Sequence, residues 1–367
     1  ALEMLVEAGV TSIRELGGDP EEIARWKLEI EEGRRLGPAM IWCGPFLEGP
    51  DGGDEYRFKI ATVEEARYAA RALQALGVDF LKIYEMVTPE VFSAVVEEAQ
   101  ARGLPMDGHV PLSMQARNVG PLVQSLEHLR NIEMDCVADP LRLVAERRRI
   151  LTNPVGGPGG NLRSRLHNLQ RLPSVAAYDE AGCAEVVSSM MSTIQVPTLR
   201  LNAQALRPPF QRSDWDALLE KLPADVESDW RTTTEARRAP AERTPDTTFP
   251  EWSLFLVNLM HEAGVPVGAG TDTPIAFAAP GYSLHSELEM LVLAGLSPME
   301  ALEAATVRPA QFFGRSGEMG TVEVGRLADL VLLSRNPLDD ITNTRSVLAV
   351  VSKGELLSRE ELDSLVR

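Results

Sequence analysis

Four polar side chains stand at the ends of short apolar segments, where they could bind a divalent cation. Lys82 lies in FLKIY, His109 in MDGHVP, His128 in SLEHL and Asp272 in GAGTDTP. Imidazole nitrogens and carboxylate oxygens are common zinc ligands, and a carboxylate can also move protons during hydrolysis. Each residue alone also has a structural explanation: a satisfied histidine, a lysine stem along apolar surface, or an aspartate in a turn. Their recurrence at equivalent points favours one shared site.

Alternation of side chains along a strand sharpens this prediction. It places Lys82 on the same face as Tyr84 and the preceding phenylalanine. It also aligns Asp272 with Gly268 and Gly270, whose missing side chains predict open space beside a metal or substrate. These segments therefore predict the floor of a pocket.

A repeated unit positions these residues: an amphipathic helical run that ends in glycine, a short apolar strand and a polar loop. Proline and hydroxyl residues at the helix starts, and Gly103 and Gly264 at two helix ends, agree with this pattern. Alternating helices and strands predict a parallel sheet, either doubly wound or closed into a TIM-type (β/α)8 barrel, which keeps its active site at the carboxyl ends of its strands. The helices predicted at 1–9, 63–77, 89–103 and 252–264 lead into strands at 10–16, 78–84, 104–110 and 265–272.

The pattern changes near the carboxyl terminus. Short strands are predicted at 320–325, 328–333 and 347–351, followed by a helix from Ser358. We therefore expect a barrel over residues 1–316 and part of a small β-sandwich over 317–367.

Two segments interrupt the repeat and predict long loops over the catalytic face. They are Asn153–Asn161, rich in glycine and proline, and Arg207–Pro250, rich in proline, arginine, threonine and aspartate. The three cysteines, Cys43, Cys136 and Cys183, are widely spaced and lack a C-x-x-C motif, so we expect buried thiols.

Composition limits the partners. The chain has 54 acidic and 36 basic residues, a formal charge of −18, which disfavours nucleic acid and anionic membranes. We expect a small-molecule substrate, and a homo-oligomer is a possible state of the chain. A cytoplasmic location is favoured, or a periplasmic or secreted one if a signal peptide precedes Ala1.

Seven segments in family order give the chain its resemblance to the amidohydrolase superfamily, and within it to imidazolonepropionase-like and prolidase-like enzymes. The resemblance implies a metal-dependent hydrolase on a (β/α)8 barrel with a small β-sandwich. The segments are AGVTSIREL, DFLKIY, GHVPLS, SLEHL, HEAGVPVGAGTDTP, LSPMEALEAATVRPAQFFG and GTVEVGRLADLVLLSRNPLDDI.

The resemblance also implies roles for the four residues. Lys82 would be carboxylated and bridge two metals, because an ammonium cannot bind a cation. His109 and His128 would bind the second metal, and Asp272 would bind the first while it takes a proton from water and returns it to the departing amine. One or two zinc ions are expected as the cofactor.

One family motif is missing: a His-x-His pair on strand one occurs nowhere in the sequence. His167, His261 and His285 stand alone, and residues 1–9 resemble the helix that follows strand one. We expect the first strand to be absent from this chain. The alternatives are that another segment fills its place or that the first metal is lost.

Three further residues are candidates for substrate binding. Tyr84 could donate to a substrate carbonyl or simply pack, and Arg130 could pair with a substrate carboxylate or a surface carboxylate. His285 could contact substrate or cap the following helix. The leading hypothesis is hydrolysis of an amide in a dipeptide, an N-acyl amino acid or a cyclic amide; the alternatives are a lactone or phosphotriester hydrolase and a non-catalytic, metal-poor relative.

Overall fold

The computed structural model describes residues 1–50, 56–152, 160–238 and 245–366. The strands are β1 Ser12–Glu15, β2 Ala39–Trp42, β3 Phe46–Glu48, β4 Arg57–Lys59, β5 Leu81–Ile83, β6 Met106–Gly108, β7 Ser125–Glu127, β8 Ile194–Val196, β9 Leu330–Leu333, β10 Val347–Ser352 and β11 Glu355–Ser358. The α-helices are α1 Leu2–Glu7, α2 Pro20–Glu31, α3 Val63–Leu76, α4 Pro89–Arg102, α5 Ala116–Val119, α6 Pro140–Thr152, α7 Gly160–Ala176, α8 Glu180–Ser189, α9 Leu199–Asn202, α10 Trp215–Leu219, α11 Ala224–Arg238, α12 Thr248–Glu262, α13 Tyr282–Leu293, α14 Pro298–Phe312 and α15 Arg359–Ser364. Short 3-10 helices lie at Gly120–Leu122, Pro209–Gln211 and Ile341–Arg345.

Parallel strands form the centre of the molecule, as predicted. β1 pairs with β2, and a second sheet has the order β4-β3-β5-β6-β7-β8. The N–H of Asp79 donates to the carbonyl of Trp42 at 2.9 Å, so β2 lies beside the start of β5. Beyond β8 a single parallel bridge joins Gln195 to Val267, so the strand predicted at 265–272 is reduced to that bridge.

The sheet curves into a barrel, because its distant strands meet across the interior. Ile41 from β2 and Ile194 from β8 belong to one buried cluster with Phe80. Arg14 on β1 bonds Glu127 on β7 at 2.5 Å. This curved α/β arrangement agrees with the predicted TIM-type fold. Within the described ranges, β1 has β2 as its one strand partner.

The helix boundaries follow the predicted capping chemistry. The Thr88 hydroxyl accepts from the N–H of Val91, and Ser297 and Glu300 form a reciprocal capping box. Gly103 and Gly264 have positive φ values of 66° and 86°, the conformation that ends a helix with little strain in glycine. The helices therefore end where their strands must begin.

The carboxyl-terminal sheet is antiparallel, with the order β11-β10-β9. It packs on the first helix, because Val6, Val347 and Leu362 share a buried cluster. The predicted strand at 320–325 is wrong, since that segment is turn and coil, and β11 was missed. The division at residue 316 stays a prediction.

The segment Arg207–Pro250 is not the predicted loop, because much of it forms α10 and α11. Aromatic packing explains these helices: Trp215 stacks on Trp230 with ring centroids 6.0 Å apart, and Phe277 packs edge-on against both. Most of the predicted loop Asn153–Asn161 lies outside the described residues.

The expectation of three buried thiols is correct for Cys43 and wrong for the other two. Cys136 and Cys183 form a disulfide across 47 residues of sequence. The pairing depends on the packing of α8 against the segment after β7, which spacing alone does not reveal. Among the described helices, none has the length and apolar character needed to cross a bilayer.

Candidate metal-binding site

The four predicted ligands lie at the carboxyl ends of parallel strands. Lys82 is in β5, His109 follows β6, His128 follows β7, and Asp272 follows the bridge at Val267. The rings of His109 and His128 are nearly perpendicular with centroids 5.0 Å apart, and Nε2 of His128 is 3.9 Å from Oδ2 of Asp272. The fold thus brings residues from distant parts of the chain to one mouth of the barrel.

A buried carboxylate orients His109. Nδ1 of His109 is 2.8 Å from Oε1 of Glu85, and Oε2 of Glu85 is 2.7 Å from Nε2 of His167 on α7. Burial lowers the pKa of His109 to about 4, although Glu85 acts to raise it. His109 is therefore neutral near pH 7, and its Nδ1 proton is directed to Glu85. Its Nε2 atom is buried without a hydrogen-bond partner among the described residues.

A hydroxyl orients His128 in the same way. Nδ1 of His128 is 2.8 Å from Oγ1 of Thr198, which follows β8. Burial, reinforced by His109, Arg130 and Lys82, lowers the pKa of His128 well below its usual range. This imidazole is also neutral, with Nε2 turned toward Asp272.

Left-handed backbone conformations cluster at this mouth. His128, Thr198 and Asp272 have φ values of 61°, 50° and 51°. Residues other than glycine avoid this region, and those that adopt it concentrate at functional sites.

Gly108 is required for a different reason, because a Cβ there would lie 2.1 Å from the carbonyl oxygen of Ile83. Only glycine lets β6 approach β5 so closely just before His109.

Lys82 and Tyr84 share an aromatic surface, as strand alternation predicts. Nζ of Lys82 lies 5.7 Å from the ring centroid of Phe46, and the Lys82 residue is only 5% exposed. The Tyr84 ring packs on Phe46 and His109 at centroid distances of 5.0 and 4.3 Å. Arg163 on α7 donates to the Tyr84 hydroxyl. The tyrosine hydrogen is then free to be donated elsewhere.

Arg130 is an unpaired cation beside the histidines. In the part of the chain that the structure describes, no carboxylate forms an ion pair with it, and its Nε is buried without a hydrogen bond. Its charge acts to lower the pKa of both His109 and His128, after the larger effect of burial. The alternative of a surface salt bridge is therefore wrong.

An ionic network inside the barrel joins β1, β6 and β7 and supports the candidate site. Arg14 contacts Glu127 at 2.5 Å, Ser125 at 3.1 Å and Asp107 at 3.7 Å. Burial raises the pKa of Glu127 to about 8; Arg14 opposes this change and Asp107 adds to it. A proton on Glu127 relieves its repulsion with Asp107 near neutral pH. The network fixes β6 and β7, which end at the two histidines.

Two predictions about the site are wrong. The space beside Gly268 and Gly270 is filled, since added Cβ atoms would lie 3.0 Å from Ile194 and 2.4 Å from Val196. His285 is not at the mouth: its Nδ1 is 3.0 Å from the Thr344 hydroxyl and its Nε2 is 3.0 Å from the Ala8 carbonyl. Both nitrogens are occupied within the protein, so His285 joins α13 to α1 and the carboxyl-terminal region.

Glu85, His167 and Thr198 were missed by sequence reasoning. His167 does not stand alone, since it reaches Glu85 from α7, 82 residues away in the chain. No spacing rule links such positions. The position of Thr198 just beyond β8 was a weak signal of a site residue in the sequence, because the other site residues also lie at strand ends.

The donor set fits a divalent cation. His109 has an orphaned, buried nitrogen, and each imidazole is neutral and oriented through its other nitrogen, as metal-binding histidines commonly are. No three His, Cys, Asp or Glu side chains within the described ranges lie close enough to hold an ion by themselves. A metal site built on the two histidines would therefore need a further ligand besides these residue types, and Lys82 in a carbamate form is the candidate.

Fold and cluster together define a barrel protein with its polar site at the strand ends. The Amidohydrolase family model matches residues 254–357, which include Asp272 but not the other three candidates. Solved structures of similar fold include a bottromycin amidohydrolase, with 23% identity, a TM-score of 0.73 and coverage of 99% of this chain and 74% of that one. A putative prolidase from Bifidobacterium longum has 26% identity, a TM-score of 0.60 and coverage of 98% and 77%. Residues 254–357 therefore match the Amidohydrolase family in sequence, and nearly the whole chain shares the fold of these solved structures.

Curated relatives match over shorter regions. N-substituted formamide deformylase from Arthrobacter pascens is 34% identical over 106 residues, which are 27% of this chain and 20% of that protein. Imidazolonepropionase from Symbiobacterium thermophilum is 40% identical over 76 residues, 20% of this chain and 18% of that protein. The matched region thus spans about a fifth of the length of these relatives.

Proposed function

We propose that the protein is a metal-dependent amide hydrolase in which Lys82, His109, His128 and Asp272 bind the cation. The observation that carries this proposal is the convergence of two neutral histidines, one with an orphaned nitrogen, beside Asp272 and Lys82 at the strand ends. The Amidohydrolase match and the deformylase, imidazolonepropionase and prolidase names of similar proteins support cleavage of a carbon–nitrogen bond.

The ligands divide between two positions in this proposal. His109 and His128, with Lys82 as a carbamate, form one metal position, and Asp272 belongs to the other. When bound, a divalent cation lowers the pKa of water and polarises a carbonyl group. The remaining chemistry belongs to side chains of this chain.

Asp272 is suited to proton transfer, because its side chain is 31% exposed and can contact both water and substrate. Its Oδ2 accepts the proton of the attacking water and delivers it to the departing nitrogen. Tyr84, whose oxygen already accepts from Arg163, donates its hydrogen to the carbonyl oxygen as negative charge develops there.

Arg130 indicates the substrate class. A partly buried guanidinium without a protein carboxylate can bind a carboxylate of the substrate through two parallel hydrogen bonds. We therefore favour an amide with a free carboxylate close to the scissile bond, as in a dipeptide or an N-acyl amino acid.

The decisive test joins metal analysis to a substrate panel. The zinc-loaded protein is assayed with N-acetyl amino acids, dipeptides, their neutral carboxamides, a lactone and a phosphotriester. We expect hydrolysis of the acids, and loss of that activity in Lys82→Arg, which keeps the charge but cannot form a carbamate. Arg130→Gln should lower kcat/KM for the acids by about 10- to 100-fold and leave the carboxamides nearly unchanged.

Two results would contradict the proposal. Full activity of Lys82→Arg would show that Lys82 is only a structural cation. Hydrolysis restricted to the lactone or phosphotriester would keep the metal site but reject the amide substrate.

A further inference from the structure

A cavity of about 260 Å³ lies away from the four proposed metal ligands, none of which lines it. One wall is the segment 206–218, which includes α10, and the opposite wall is α13. The third wall is the segment 277–279, which follows the loop that carries Asp272. The volume lies just below the range of about 300–1,000 Å³ typical of ligand sites, so it suits a small molecule.

The cavity has an excess of positive charge in a strongly acidic chain. Its lining contains four arginines but only two carboxylates, Asp214 and Glu289. Arg212 and Arg345 share Glu289, at 2.9 and 3.0 Å. Arg207 is exposed and forms no ion pair within the described ranges. Arg212 also pairs with Asp214 at 3.1 Å. Arg207 is therefore the guanidinium of this lining that is left to bind a carboxylate.

Apolar side chains form the other part of the lining. Trp215 is 1% exposed and stacks on Trp230. Leu218, Met290 and Phe277 extend the apolar surface. A ligand with an apolar ring and one anionic end would satisfy both parts of the lining.

The cavity also borders the loop that carries Asp272. Arg200, in its lining, donates to the carbonyls of Thr271, Ile275 and Ala276 at 2.8–3.1 Å. Ser283, also in the lining, has its hydroxyl 3.0 Å from that of Thr273. Both residues therefore connect the cavity to the loop on either side of Asp272.

We propose that this cavity is a second binding site, for a small aromatic or branched aliphatic carboxylate, and that its occupant restrains the loop around Asp272. The carboxylate pairs with Arg207, and the apolar body packs in the apolar part of the lining, beside Phe277 and Trp215. This binding is independent of the proposed hydrolysis and needs no metal.

Phenylacetate and its neutral analogue phenylacetamide test the proposal on the metal-free chain. Binding is followed by calorimetry and by quenching of tryptophan fluorescence, which Trp215→Phe should diminish. Phenylacetate should bind saturably, and phenylacetamide should bind at least about tenfold more weakly. Arg207→Gln should weaken phenylacetate about tenfold, whereas Arg25→Gln, an equal loss of charge on α2, should have no effect.

Arg130→Gln separates this site from the strand-end mouth. Unchanged phenylacetate affinity in Arg130→Gln, with weakened affinity in Arg207→Gln, supports the second site. The opposite result places the ligand at the mouth and overturns the proposal. Equal binding of acid and amide, or no saturation below about 10 mM, overturns it as well.

Discussion

Two regions of the molecule bury histidine and use it differently. At the strand-end mouth, His109 and His128 each bond a protein group through Nδ1, and Nε2 of His109 has no partner in the described ranges. At the seam of α1, α13 and the carboxyl-terminal region, His285 has both nitrogens bonded. All three are at least 93% buried, since their exposed fractions are 2%, 4% and 7%.

The difference shows which features separate a candidate metal ligand from a structural histidine. Burial lowers the pKa of His285 to about 3, as it lowers that of His109 to about 4. A depressed pKa therefore marks both a structural and a candidate metal-binding histidine. The unoccupied nitrogen, the orienting partner on the other nitrogen and the neighbouring Asp272 distinguish the mouth.

The largest expected effect comes from replacing one histidine in each region. His109→Gln should reduce zinc affinity by more than about 100-fold, because it removes a ligand rather than its support. His285→Gln should leave zinc stoichiometry unchanged. Equilibrium dialysis with elemental analysis measures zinc affinity and stoichiometry in both variants. Equal zinc loss in the two variants would contradict the distinction between His109 as a ligand and His285 as a structural residue.

Removal of the orienting carboxylate should have a smaller effect. Glu85→Gln keeps the size of the side chain but weakens its bonds to His109 and His167. We expect zinc affinity to fall by about 10- to 100-fold. The exposed Glu97 on α4 supplies the matched control, because Glu97→Gln should leave zinc affinity unchanged. A Glu85→Gln variant with native affinity would show that Glu85 only fills space.

The pH dependence of stability should report on His285, which lies where α1, α13 and the carboxyl-terminal region meet. His285 has a lowered pKa in the folded protein, so its contribution is complete above its unfolded pKa, near 6.5, and is lost as pH falls toward about 3. The wild type should lose at least about 2 kcal/mol more than His285→Gln over this range. Urea unfolding of both proteins at several pH values checks this, and parallel curves would contradict it.

The smallest effect is expected at the hydroxyl that orients His128. Thr198→Val keeps the shape and removes the 2.8 Å bond to Nδ1. We expect a three- to tenfold loss of zinc affinity, corresponding to about 1 kcal/mol for one hydrogen bond. Thr198→Ser should restore most of it. A Thr198→Ser variant as weak as Thr198→Val would point to the backbone strain at this position instead.

Much of the fold was predictable, because local signals and hydrophobic periodicity agree. The glycines that end α4 and α12, the capping box of α14 and the alternation in β5 are all visible in the sequence and all present in the structure. The helices α10 and α11 were not predictable from composition. Their polar sequence is held by a few aromatic contacts, such as Trp215 with Trp230.

The site was predictable only in part. Lys82, His109, His128 and Asp272 each follow the rule that polar residues of a barrel gather at the carboxyl ends of its strands. The role of His285 was wrong, and Glu85 and His167 were missed, since their partners are distant in the chain. Sequence order carries little information about which of several histidines will meet a given carboxylate.

By itself, the sequence determined the repeating helix–strand units and the residue types at the strand ends, because both depend on interactions within a few residues. Only the tertiary structure decided which imidazole nitrogen keeps a free position, which cysteines pair and which arginines line a cavity. Those outcomes depend on contacts between elements far apart in the chain, and they exist only once these elements have packed together.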